Sequence, residues 1–179
     1  MSLIMSRRDL LKISGVSLAR LVLPRSLAWA AEDKSKERIV LKGVARSKGY
    51  AEGEALVSDQ PISWAPFAIP NDTGIISIFE HKLRGQSVKD KIVVYPTVYG
   101  STTGSIGLFF KVKESKVGPK AIICRQVHPI DIGGAIAGEI PAVDSLDQDP
   151  IQAIMTGDWV EIRADEVGKE ATVTITPKT

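Results

Sequence analysis

"KIVVYPTVYGSTTGSIGLFFKVKES", residues 91–115, is the stretch on which the fold turns. "KIVVYP" (91–96) is a short apolar run without polar alternation, the pattern of a strand covered on both faces. "SIGLFFKVKES" (105–115) fits helix or strand, with Gly107 and Val112 weakening the helix. The following "KVGPKAIIC" (116–124) favours the helix, because it supplies a stop and then a second apolar run. Strand, helix and strand then form a crossover between parallel strands.

Working outward, "RIVLKGVA" (38–45) and "GEALVS" (53–58) read as strands around a glycine turn, "RSKGYAEG" (46–53). "PISWAPFAIPNDTG" (61–74) holds three prolines and reads as an irregular loop; "GIISIF" (74–79) is a short strand or an extended segment. "IGGAIAGE" (132–139) reads as a short helix in which Gly133, Gly134 and Gly138 permit close approach of backbone or substrate. "IPAVD" (140–144) is a strand, with Asp144 and Asp147 as turn and helix-start residues. "DQDPIQAIMTGD" (147–158) has acids and proline at its start and Gly157 at its end, punctuation for a helix. "DWVEIRAD" (158–165) and "ATVTITP" (171–177) alternate as a terminal hairpin. The expectation is a single α/β domain with a mixed, barrel-like β core.

Residues 1–30 carry a different message. Arg7 and Arg8, with Leu10, Leu11 and Lys12, precede the moderately apolar "ISGVSLARLVL" and then "AWA" (28–30), the layout of a cleavable twin-arginine export signal. An uninterrupted apolar run of about 20 residues, which a membrane span needs, is missing from it. This segment carries +4 and the whole chain +2, so residues 31–179 carry −2. The basic character therefore belongs to the export label, and no nucleic-acid partner is expected. "AEDKSKE" (31–37) reads as a charged arm and 38–179 as the folded domain. The expected location is extracytoplasmic or periplasmic, reached through the twin-arginine export machinery.

Cys124 is the only cysteine, so the chain alone forms no internal disulfide and no cysteine-based metal site. Following "AII", it reads as a buried thiol at a strand end. His81 and His128 are the only histidines and stand far apart, so no intrinsic zinc site is expected. His128 reads as an ordinary loop histidine.

"GSTTGS" (100–105) lacks the lysine of a phosphate-binding P-loop and the glycine spacing of a hydrolase nucleophile elbow. Gly100 and Gly104 let the chain turn tightly and gather N–H groups, while Ser101, Thr102, Thr103 and Ser105 add hydroxyls. Such a loop suits a carboxylate or phosphate, with one serine placed to exchange a proton; plain helix capping is the competing reading.

The blocks "GYAEGEALVS", "ISWAPFAIPNDTGII", "GQSVKDKIVVYP", "GSTTGS", "PKAIICR", "IGGAIAGEIPAVD" and "DPIQAIMTGDWVEI" occur in an order that resembles the small subunit of aconitase X, from about Leu41 to Ala164. The resemblance implies a swivelling β/β/α domain that packs on a large subunit carrying an iron–sulphur cluster. This chain would bind no cofactor of its own. The pair would act as a dehydratase on a small hydroxy-carboxylate, known family substrates being cis-3-hydroxy-L-proline and mevalonate 5-phosphate. It also implies Ser101 as the proton acceptor and Arg125 as a bidentate holder of a substrate carboxylate, with Gly100, Thr102, Thr103, Gly104 and Ser105 around the substrate. Tyr99 stands where the family has arginine, so one positive charge is missing beside the serine. Iron–sulphur proteins are assembled in the cytoplasm, which fits an exporter of folded proteins. Two other readings remain open: a non-catalytic exported module that binds an organic anion, and a docking or regulatory subunit.

Overall fold

The computed structural model describes residues 38–178; the expected export signal and charged arm lie outside the described residues. The described strands are β1 (Ile39–Ser47), β2 (Gly49–Val57), β3 (Ile92–Tyr95), β4 (Ala121–Cys124), β5 (Ala142–Asp144), β6 (Trp159–Ala164) and β7 (Glu170–Thr176). They close into a barrel in the order β1-β5-β4-β3-β2-β6-β7. Neighbours from β2 through β3 and β4 to β5 run parallel, and the remaining pairs are antiparallel. The mixed, barrel-like α/β core expected from the sequence is what forms.

The hydrophobic pattern explains which strands face water. In β6 and β7 every second residue is buried, Val160, Ile162 and Ala164 against Ala171, Val173 and Ile175, so these antiparallel strands have one wet face. All four residues of β3 and of β4 are buried. Ile92, Val94, Ala121 and Ile123 belong to the cluster inside the barrel. Val93, Tyr95, Ile122 and Cys124 belong to a second cluster with Leu108, Ile130 and Ala135 of the helices and with Trp64, Ile69 and Ile76. A parallel segment covered by helices must be apolar throughout, which is why "KIVVY" and "AIIC" lack alternation.

Helix α1 (Thr103–Phe109) makes the β3-to-β4 crossover and widens into a π-helical turn over Phe110–Glu114. It starts two residues before the expected 105, because Gly104 and Ser105 already donate to the Ser101 and Thr102 carbonyls. Helix α2 (Pro129–Gly138) links β4 to β5 and packs beside α1. Helix α3 is confined to Pro150–Ala153, against an expected run of 147–158. Ile154 turns extended, and the Asp158 carboxylate accepts the Met155 N–H at 2.9 Å, so the helical ladder stops there.

Other boundaries also differ from expectation. The broad turn expected over 46–53 is only the Lys48 corner, because Ser47 stays in the sheet and pairs with Ala142. Segment 74–79 forms no strand beyond one antiparallel bridge between Ile75 and Ser87, with Gly74 at φ = +64° and a turn beginning at Phe79. Asp144 is no turn residue: it ends β5, buried, accepting from the Arg46 guanidinium at 2.7 Å and the Val127 N–H at 3.0 Å.

Candidate functional site

The parallel register of β3 and β4 sets Tyr95 beside Cys124, so the loops leaving both strands emerge at one edge of the sheet. The Gln126 N–H donates to the Pro96 carbonyl at 3.3 Å and ties these loops together. Such an edge, at the carboxyl ends of parallel strands, is where open crevices form. The Tyr99 N–H donates to the Ile62 carbonyl at 3.0 Å, which pins the chain just before the turn. Gly100 then takes φ = +111°, a conformation that side chains strongly disfavour, and delivers Ser101 to the surface.

Ser101, Thr102 and Thr103 are exposed. The Ser101 hydroxyl donates to Thr103 Oγ1 at 2.9 Å and receives the Thr103 N–H only at 3.4 Å. Thr102, at the N-cap of α1, makes no side-chain cap. Helix capping is thus a minor task for these hydroxyls. The Gly104 and Ser105 N–H groups are satisfied by the Ser101 and Thr102 carbonyls, so the loop presents hydroxyls more than a cradle of N–H donors. Gly104 is buried, and the Ser105 hydroxyl donates to the Ile130 carbonyl at 2.7 Å, linking α1 to the start of α2.

Arg125 leaves β4 at the same edge, but its guanidinium grips Asp149 with two bonds, Nε at 2.9 Å and Nη2 at 2.7 Å. That hydrogen-bonded partner holds the Asp149 carboxyl below its ordinary range and raises Arg125 further. Asp149 also accepts the Ile151 N–H at 3.2 Å as the N-cap of α3. Arg125 is therefore placed near the loop in topology and engaged with an acid in geometry.

Beneath the loop lies a polar network that sequence reasoning missed. Asp131, fully buried, accepts from the Tyr95 hydroxyl at 2.6 Å and the Trp64 indole at 3.1 Å, and its other oxygen takes the His128 N–H at 3.3 Å. Burial raises the Asp131 carboxyl, and these donors oppose that shift. His128 caps α2, its Nδ1 accepting the Ile130 N–H at 3.2 Å, so the histidine is a structural cap. The signal available was "HPID" at 128–131, a capping box with proline at the first helical turn. Lys111 is likewise fully buried, donating to the Trp64 carbonyl and Asn71 Oδ1 at 2.8 Å each and to the Gly107 carbonyl at 3.2 Å. It lies three residues after Leu108 on the covered face of the helix, the spacing that could have flagged it.

Among the described residues, clefts open at both ends of the parallel strands. One, of about 340 Å³, is lined by Gln60, Pro61, Phe79, Glu80, His81 and Tyr99, the residue just before the candidate loop. Another of about 430 Å³ is lined by Asp90, Gly118, Pro119 and Lys120, which lead into β3 and β4. That places it at the amino-terminal edge of the parallel strands, away from Ser101.

Cys124 is fully buried, its thiol pushed up by burial, and no group of three or more His, Cys, Asp or Glu among the described residues is arranged to hold a metal. The described residues of this chain do not fit an iron–sulphur cluster.

The aconitase X swivel domain family model matches residues 40–173. The phosphomevalonate dehydratase small subunit of Methanosarcina mazei is 41% identical over 128 residues, covering 72% of this chain and 88% of that protein. The one from Archaeoglobus fulgidus is 40% identical over 122 residues, covering 68% and 90%. The crystal structure of Thermococcus kodakaraensis aconitase X in its holo form superposes with a TM-score of 0.67 at 37% identity, over 75% of this chain and 98% of that chain. The match over most of the folded domain, together with the shared fold, shows that the chain belongs to the aconitase X swivel domain family.

Proposed function

We propose that this chain is the small subunit of an aconitase X-type hydro-lyase. With a large subunit it removes water from a small hydroxy-carboxylate, such as cis-3-hydroxy-L-proline, and Ser101 accepts the proton. The observation that carries the proposal is the exposed Ser101 hydroxyl, set by Gly100 at the carboxyl edge of the parallel strands and only marginally engaged in capping. Similarity to proteins named dehydratase small subunits over most of their length supports the reaction class and a large-subunit partner.

The chemistry removes a proton from carbon and a hydroxyl from its neighbour, leaving a double bond and water. A serine hydroxyl is a weak base, so it has to be supported by positive charge or hydrogen-bond donors where its negative charge develops. Thr103 supplies a hydroxyl next to it. Tyr99 brings no charge, and Arg125 is held by Asp149. The remaining support therefore comes from the large subunit, together with an iron–sulphur cluster that would polarise the departing hydroxyl. Base and Lewis acid stand on different chains in this reading, and neither chain works alone.

The test is co-expression of the full chain with its large subunit, followed by assay of water elimination. Ser101→Ala is expected to leave the assembly intact and reduce turnover by orders of magnitude. Unchanged turnover in that variant would assign the chain a docking or regulatory role. Tyr99 favours one further reading, an organic-anion module without catalysis; binding of a hydroxy acid by the chain without any partner would point there. Twin-arginine export is also proposed, from Arg7 and Arg8. Replacing both with lysine is expected to retain the chain in the cytoplasm, and unaltered location would overturn that proposal.

A further inference from the structure

Both ends of the Ser101 turn are tied to one short segment, residues 62–64. On the entry side Ile62 bridges Val98, and its carbonyl takes the Tyr99 N–H at 3.0 Å. Ser63 Oγ lies 3.3 Å from where a Cβ at Gly100 would stand. On the exit side the backbone of α1 runs against Trp64: a Cβ at Gly107 would lie 2.2 Å from the Trp64 carbonyl oxygen. Lys111, one helical turn further on, donates to that same oxygen at 2.8 Å. Chain and hydrogen bonds form a closed circuit, from Tyr99 through Ile62 and Trp64 to Lys111, and back along α1 to Ser101.

Lys111 is fully buried, and the three oxygens its ammonium meets, of Trp64, Asn71 and Gly107, are all neutral. Enclosing an ammonium among neutral acceptors carries a desolvation cost. In return, one head group ties two residues of the irregular 61–74 segment to the helix that leaves the turn. The Lys111 backbone is fixed as well, its carbonyl accepting the Val117 and Gly118 N–H groups at 2.9 and 2.8 Å inside the π-helical turn. Such turns recur at functional sites.

We propose that Lys111 is a positioning residue for the reaction: its ammonium fixes the span between the entry and the exit of the turn, and with it the place of the Ser101 hydroxyl. The inference rests on the reading of Ser101 as the proton acceptor. A misplacement of about 1 Å can cost about a hundredfold in rate. Loss of the lysine proton loosens the circuit without any substitution, since a neutral amine has only two N–H groups for the three acceptors. Burial lowers the Lys111 pKa to about 8, and none of the three groups facing it titrates.

The experiment compares the parent, Lys111→Met and Ser101→Ala by two readouts. Carbonyl-carbon NMR of the full chain is followed from pH 7 to 9, with Lys111 Cε reporting its own proton. In the parent the Ile62, Gly100 and Ser101 signals should move with the Lys111 midpoint; in Lys111→Met they should be displaced and indifferent to pH. Turnover is measured in the assembly with the large subunit, using cis-3-hydroxy-L-proline and mevalonate 5-phosphate as probes. Lys111→Met should lower kcat by about tenfold to a hundredfold and leave KM within about twofold. Signals that ignore both the lysine proton and its replacement overturn the positioning role. So does a Lys111→Met assembly with the parent's kcat beside an inactive Ser101→Ala. Displaced signals with Ser101→Ala as active as the parent overturn the Ser101 reading instead, and leave Lys111 a determinant of the turn alone. Where Lys111→Met fails to fold, the parent's own titration decides.

Discussion

The Tyr95 hydroxyl donates to the Asp131 carboxylate at 2.6 Å, joining the end of β3 to the first turn of α2 beneath the Ser101 loop. The same hydroxyl accepts from the Trp64 indole at 3.0 Å, so three segments meet at one buried acid. Tyr95→Phe removes a donor from a buried carboxylate and is expected to cost about 1.5–3 kcal/mol, a melting shift of roughly 2–4 °C for each of those kcal/mol. The deficit has a pH signature. Burial already raises the folded Asp131 pKa above its ordinary 3.8, so its contribution falls as pH rises through the folded value. Without Tyr95 that value rises further, and the deficit measured in denaturant should be larger at pH 7 than at pH 4.5.

Gly134 sets the distance between α1 and α2. A Cβ added there would lie 2.8 Å from Leu108 Cβ and 2.9 Å from the Ser105 carbonyl oxygen. Alanine gains about 1 kcal/mol of helix propensity, but overpacking costs about 1–3 kcal/mol, and a backbone oxygen has little room to retreat. Gly134→Ala should therefore lower stability in chemical denaturation and, by pushing α1 outward, weaken the Ser105–Ile130 bond. A variant as stable as the parent would mean that the helices separate freely.

The elements that read clearly from the sequence are those whose burial is simple. "IVVY" and "AIIC" have uniform apolar character because helices cover them, and the β6–β7 pair alternates because one face is wet. The closing helix "DQDPIQAIMTGD" looked longer than it is, since Asp158 competes for the Met155 N–H, a tertiary hydrogen bond that no local pattern encodes. The burial of Asp131, Asp144 and Lys111 was not legible for a related reason. Polar residues are read as surface unless their buried partners, distant in sequence, are known. Ser101 was legible as a hydroxyl on a glycine turn, whereas the engagement of Arg125 by Asp149 depended on where tertiary folding sets the N-cap of α3.

The Arg125–Asp149 pair is partly exposed, with side chains 49% and 26% accessible, so its ionic contribution is small. Asp149→Ala also removes the α3 cap and should cost about 1 kcal/mol. The folded Asp149 pKa lies below its ordinary 3.8, chiefly through Arg125, so the stabilisation is present above that value and is lost as pH falls through the folded value. Urea melts of parent and variant should draw together as pH falls through the folded value. In the assembled complex the variant also frees the guanidinium. If Arg125 holds the substrate carboxylate, KM should fall in Asp149→Ala and rise in Arg125→Met; equal KM in both would remove Arg125 from the site.

Lys111 offers the last prediction. Its ammonium is enclosed by two carbonyls and the Asn71 amide oxygen, and burial lowers its pKa from 10.5 to about 8. Above pH 8 the folded lysine releases its proton while the unfolded one keeps it up to about 10.5, so the unfolded state binds more protons and stability rises with pH in that interval. The slope approaches about 1.4 kcal/mol per pH unit. Cys124 and Tyr95 work in the opposite sense, because burial raises both; their unfolded forms ionise first, from about pH 9 and 10 respectively. The gain from Lys111 is therefore clearest between pH 8 and 9. Lys111→Met, which carries no titrating group, should abolish it. It should also be less stable at pH 9, since the Trp64 and Gly107 carbonyls and Asn71 lose a buried donor. Denaturant melts of both proteins from pH 7 to 9 decide the matter: parallel curves would mean that Lys111 titrates like a solvent-exposed lysine.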